Sequence, residues 1–299
     1  MTDVSASKPI PNSRSGGFSI SPVLLVPFRT VTGWFGALTI LFFLFLAAFG
    51  PLIAPEPTIP VNYLPGGEVA RLLTPSEHAP LGTDYYGRDV VSQLILGTRT
   101  AIMVGVLSTI FTIFIGTNVG LIAAYYGGRI DNILMRLTDL AFSIPFLPFA
   151  VILVALLNPS IWNIILTITV LSWRSTARII RSQALSVKQQ TFIRAARVAG
   201  ASDARIIYRH IFPNVLPLAL LYIAFGVSWA VLSEASLSFL GFGDPRIPSW
   251  GQMMYFAYVS ASIRSAWWWT IPPGLCITLL VLAVFLVGRE YERYVNPKS

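Results

Sequence analysis

Charge is scarce in this chain. Only 11% of its 299 residues are Asp, Glu, Lys or Arg, and 55% are hydrophobic, whereas soluble domains run at about 25% charged. A soluble fold cannot hide that much apolar surface, so the composition predicts an integral membrane protein. Cysteine is almost missing: Cys276 stands alone. That excludes an intramolecular disulfide, and its place in an apolar run predicts a small buried hydrophobe. Histidine is limited to His78 and His210, far apart and without neighbouring ligands, so no metal site is expected. A G-x-x-x-x-G-K-[ST] phosphate loop occurs nowhere, which excludes Walker-type nucleotide binding by this chain. The formal charge of +8 does not indicate nucleic acid as a partner. The basic residues sit in short loops between apolar runs rather than on one soluble face, and so report topology.

What is present is a series of long uncharged runs. The first thirty residues carry Lys8, Arg14 and Arg29 among Ser and Pro, without a short apolar core and cleavage site, and predict a mobile cytoplasmic tail over residues 1–32. Residues 33–53 predict a first transmembrane helix, stopped by Pro51, Pro55 and Pro57. Residues 54–99 turn polar and slightly acidic and predict an extracytoplasmic loop. Within it, Pro80 to Asp89 reads PLGTDYYGRD, a turn followed by an N-cap at Asp89 and a short interfacial helix. A five-helix core is expected over residues 100–299. Its second span, Thr100 to Tyr126, holds Gly116 and Gly120 at the GxxxG spacing that admits close helix approach. The third and fourth spans divide the uncharged run from Leu140 to Trp173 at Asn158-Pro159-Ser160. Pro145 and Pro148 either kink the third span for packing or make it a flexing, pathway-lining helix.

The next stretch carries Arg174, Arg178, Arg181, Lys188, Arg194, Arg197, Arg205 and Arg209 against one acid, Asp203, which predicts a cytoplasmic loop. The fifth span starts near Ile211 and ends at Ser233. Glu234 is expected at the wet outer boundary. The broken apolar segment beyond it, with Phe239, Gly241, Phe242, Pro248 and Trp250, is a candidate outer gate. The sixth span covers residues 265–288, anchored by Trp267, Trp268 and Trp269. The prediction is an all-α integral membrane protein with six transmembrane helices and both termini in the cytoplasm.

Residues 188–213 carry the most specific local pattern. Phe192, Ala195, Ala196 and Ala199 recur at i, i+3, i+4, i+7 on one helix face. Gly200 suits the left-handed position that ends a helix. Ser202 can cap a second helix with Asp203 in its first turn, and Pro213 opens the next span. An alanine face of this kind fits either a partner's groove or the bundle's own inner surface.

Ala195, Ala196, Gly200 and Pro213 stand at the spacing of the EAA loop of ABC-importer permeases. Arg194 occupies the place of its Glu and Phe212 that of its Leu, so no carboxylate contact carries over. With PLGTDYYGRD, YYGGRIDNILMRLTDL (Tyr125 to Leu140) and EASLSFLGFGDPRIPSWGQ (Glu234 to Gln252), the chain resembles the dipeptide/oligopeptide permease branch, in its second, C-type subunit. The resemblance implies a non-catalytic, multi-pass subunit in the inner membrane of a prokaryote. It implies coupling through Phe192, Ala195, Ala196, Ala199, Gly200, Ser202, Asp203 and Pro213. Its implied partners are a homologous second permease, one or two cytoplasmic ATPases that bind ATP and Mg, an extracytoplasmic binding protein, membrane lipid and a peptide substrate. The alternatives are a permease for nickel or another small solute and, from another class, an ion-gradient-driven transporter. Such carriers usually place ionisable residues at mid-membrane, and the cores of the first, second, third and sixth spans have none.

Overall fold

The computed structural model describes residue 28 and residues 30–56, 58–77 and 79–295. The tail expected over residues 1–32 lies mostly outside them, and Pro57, His78 and Lys298 lie wholly outside. Among the described residues the regular elements are helices, and the loop between the first two long ones holds two isolated bridges, Tyr63 to Val69 and Thr83 to Asp89. The helices are α1 (Val31–Ile53), α2 (Val90–Tyr126), α3 (Gly128–Ser143), α4 (Phe146–Leu157), α5 (Ile161–Lys188), α6 (Thr191–Val198), α7 (Asp203–Phe242), α8 (Trp250–Val259) and α9 (Trp267–Val295).

Helices α1, α2, α7 and α9 are each long and apolar enough to cross a membrane. Helices α3 and α4 meet at a 91° bend and make a fifth candidate if taken as one broken span. Pro145 explains the break, because its own conformation is extended and it sits just before α4. Pro148 falls in the first turn of α4, where no backbone N–H is needed.

Several boundaries differ from those expected; the fifth span runs on to Phe242 and the sixth to Val295, and three further differences have a direct physical cause. Helix α2 starts at Val90 because Asp89 Oδ2 accepts from Ser92 N at 2.6 Å, and nothing after that cap breaks the helix. The interfacial helix and the second span are therefore one rod of 37 residues, about 55 Å long. Helix α5 runs on through Arg174, Arg178 and Arg181 to Lys188, where a loop was expected. Its charges are met from α3: Arg178 Nη2 donates to Asp139 Oδ1 at 2.7 Å and Arg181 pairs with both oxygens of Asp131. Helix α7 joins the second loop helix to the fifth span without a break. A π-helical turn at Ile206–Ile211 leads into Pro213, and Phe212 N donates to Ile207 O. The wider turn gives room to a proline ring that would otherwise press on the carbonyl four residues back.

Helix α2 is the central strut, packed most extensively on α5 and then on α7. The glycine pair is the reason. A Cβ on Gly116 would lie 2.7 Å from Trp173 O, and one on Gly120 would lie 2.6 Å from Ala177 O. Large apolar residues of α1, such as Phe35, Leu38, Leu41, Phe42 and Phe45, remain exposed, which suits a helix bordering lipid.

Candidate functional site

Helix α6 lies at the end of the bundle that carries residues 188–213. Of its side chains only Ile193 is buried, inserted among Leu121, Ile180, Val187, Ile206 and Ile211. Burying an isoleucine from water supplies about 1.5–3 kcal/mol, and this one fixes which way the helix turns. Phe192, Ala195 and Ala199 are exposed and Ala196 is half-buried, so the alanine face is not covered by the chain's own bundle. Val198, which the periodicity left out, is 91% exposed.

The helix ends as its sequence requires. Gly200 has φ +78°, Gly200 N donates to Arg197 O at 3.1 Å, and Ala201 N donates to Ala196 O at 3.0 Å. This is the Schellman arrangement, in which a left-handed glycine closes the last carbonyls. Ser202 Oγ then accepts from Arg205 N at 3.4 Å and caps the start of α7.

A brace between this loop and the end of α2 was not foreseen. Tyr125 Oη donates to Asp203 Oδ1 at 2.6 Å, and Lys188 Nζ donates to Ala124 O at 3.0 Å. Arg197 and Lys188 also approach the Tyr125 ring, at 5.8 and 5.9 Å from its centroid. The paired tyrosines before a glycine turn are the signal in the sequence that marks this corner.

The five candidate gate residues do not form one cluster. Phe239 and Phe242 are half-buried around Gly241, whose φ of +90° breaks the last turn of α7. Phe239 meets the Tyr258 ring at 6.1 Å. Pro248 and Trp250 are instead fastened to α2. Thr100 Oγ1 donates to Pro248 O at 2.7 Å, and Trp250 Nε1 donates to Leu94 O at 2.9 Å. Trp250 is 1% exposed and meets Phe43 of α1 edge to face. Glu234, expected at a wet boundary, is 2% exposed and accepts from Ser238 Oγ at 2.6 Å. The burial follows from α8 closing over it, with Gly251 held against the Ala235 backbone.

A cavity of about 390 Å³ lies between α2, α5 and α7, lined in part by Ser108, Thr112, Ser172, Arg174, Tyr222 and Trp229. Nothing in the local pattern points to it, because each contributing helix reads as an ordinary apolar span.

A match to a family model decides the wider identity. Residues 116–298 match the family of binding-protein-dependent transport system inner membrane components. The chain belongs to that family. Its relatives include the dipeptide transport system permease protein DppC of Alkalihalophilus pseudofirmus, 33% identical across 88% of this chain and 84% of the relative. The DppC of Haemophilus influenzae is 35% identical across 88% of this chain and 89% of the relative. The glutathione transport system permease protein GsiD of Pectobacterium atrosepticum is 36% identical across 75% and 74%. As an inner membrane component of such a system, the chain is a non-catalytic transport subunit that works with a binding protein, and partner ATPases handle the ATP. The expected resemblance to the ABC-importer permeases is confirmed by these matches.

Proposed function

We propose that this chain is one of two homologous permease subunits of an ABC importer for peptides and forms half of the translocation pathway. In this reading six spans cross the inner membrane, namely α1, α2, the bent α3–α4 pair, α5, α7 and α9. Residues 1–32 and the C-terminus are cytoplasmic, residues 54–99 are extracytoplasmic, and residues 100–299 form the core. The arginine-rich stretch from α5 to the start of α7 supports the orientation.

One observation carries the coupling role: a short helix whose small residues face outward is braced to α2 and continues through Gly200 into α7. Phe192, Ala195, Ala196 and Ala199 form the surface that docks in a groove of a cytoplasmic ATPase, with Gly200, Ser202 and Asp203 fixing its angle. Closure of two ATPases on nucleotide displaces α6. The Tyr125–Asp203 bond passes that motion to α2, and the turn ahead of Pro213 passes it to α7. At the other end the binding protein delivers its solute to the segment around Phe239, Gly241 and Phe242, while Pro248 and Trp250 form the fixed frame against which that segment moves. The DppC and GsiD relatives favour a peptide as the solute.

Reconstitution tests this reading. Liposomes holding the two permeases, the ATPases and the binding protein should import labelled dipeptide only when ATP is supplied. Uptake of nickel in place of peptide would favour the small-solute alternative. Uptake by this chain alone under an ion gradient would overturn the importer reading.

A further inference from the structure

We infer that the cavity between α2, α5 and α7 is a contact site for the backbone and terminal carboxylate of a short peptide in transit. The inference rests on the peptide reading above. A hydroxyl inside a membrane-spanning helix ordinarily bonds back to the carbonyl one turn earlier, as Thr109 does to Gly105 O at 2.7 Å. Ser108, Thr112 and Ser172 do not. Each hydroxyl is buried without a hydrogen-bond partner, and all three residues line the same cavity. An unpartnered hydroxyl in an apolar setting is costly, so three around one cavity, two on α2 and one on α5, point to a visitor that brings its own donors and acceptors in series. A peptide backbone does so.

Arg174 supplies the charge. Its neighbours Arg178 and Arg181 are paired with Asp139 and Asp131. Arg174 has no carboxylate partner among the described residues: Nη1 donates to Ala141 O at 2.8 Å, and the guanidinium lies 5.1 Å from the Phe142 ring. The remaining N–H groups of that fork match a carboxylate in two-point geometry. Arg174 lies in the half of α5 that leads to the coupling loop, so a carboxylate would be met on the cytoplasmic side of the hydroxyls. The aromatic wall contributed by Trp229 and Phe146, whose rings lie 5.2 Å apart, offers mainly apolar contact to passing side chains. The volume, about 390 Å³, falls within the range of small-molecule sites, about 300–1,000 Å³.

The test uses the complete transporter in liposomes and compares one labelled dipeptide as free acid and as C-terminal amide. Arg174→Gln should lower the ratio of acid to amide uptake roughly tenfold, and Arg174→Lys, which keeps the charge but not the two-point fork, should restore only part of it. An unchanged ratio in Arg174→Gln overturns the proposal. Photo-crosslinking with a diazirine-bearing dipeptide on the unaltered transporter keeps the question decidable if that variant fails to assemble. Labelling of Ser108 to Thr112 and Ser172 to Arg174 supports the site. Labelling confined to other segments, or crosslinks showing the second permease seated in the cavity, overturns it. A wild-type complex that imports neither peptide form, yet imports another solute, refutes the peptide reading itself.

Discussion

At the end of the bundle that carries residues 54–99, Trp250 donates to Leu94 O and Trp268 to Thr83 O. Asp84 there takes hydrogen bonds from Tyr86 N, Arg88 N, Arg88 Nε and Gln93 Nε2. At the opposite end, α6 holds on by Ile193 and leaves Phe192, Ala195, Val198 and Ala199 exposed. A Cβ placed on Gly200 would meet nothing within 4 Å, whereas one on Gly251 would lie 2.3 Å from Ala235 O. The first end is tied together by hydrogen bonds and close backbone packing from within the chain. The second is left open on one side, as a surface must be if a partner is to grip it. Substitutions at the first end should therefore act on folding, and those at the second on coupling.

The largest effect should come from crowding the closed parts. Gly120→Val drives side-chain atoms into the α5 backbone and should cost about 3 kcal/mol or more, seen as loss of monodisperse protein in detergent. Trp250→Ala should cost as much, about 3–5 kcal/mol, in thermal unfolding. If both variants stay stable while transport fails, these packed seams are part of the moving machinery and the contrast breaks.

Gly200→Val is expected to cost less, about 1–2 kcal/mol from the left-handed backbone, because no neighbouring atom opposes it. The subunit should fold while peptide imported per ATP hydrolysed falls, as measured in liposomes. Tyr125→Phe sharpens the same point. It removes one hydrogen bond, about 1 kcal/mol, yet should reduce coupling more than stability if the Asp203 brace transmits motion.

The smallest effect belongs to Asp244. Bonds from the Arg246 side chain and backbone hold its carboxyl below the usual carboxylate range. A folded-state value below the unfolded one means that its stabilisation is fully present above the unfolded carboxylate range. It is lost as pH falls through the folded value. Asp244→Asn should therefore flatten the acid limb of a melting-temperature profile slightly, since the Arg246 side chain is 77% exposed and solvent screens the pair.

Much of this was legible beforehand. Uncharged runs located α1, α2, α7 and α9, the glycine pair marked the α2–α5 seam, and Asp89, Gly200 and Ser202 were assigned the caps they hold. These features depend on local composition and on backbone rules that act within a few residues. What escaped depends on residues far apart in sequence. The continuation of α5 past Arg174 required acids from α3, and the burial of Glu234 required α8 to fold over it. The cavity required hydroxyls from two helices to converge. The inward role of Ile193 was hidden because the alanine spacing around it gave an equally regular face.

The most direct test of the coupling account is Ala199→Trp, at an exposed position where bulk costs the subunit little. The account predicts a variant that melts like the wild type, but from which the ATPases no longer co-purify and whose liposomes import no peptide. Normal co-purification together with normal ATP-driven uptake would contradict it.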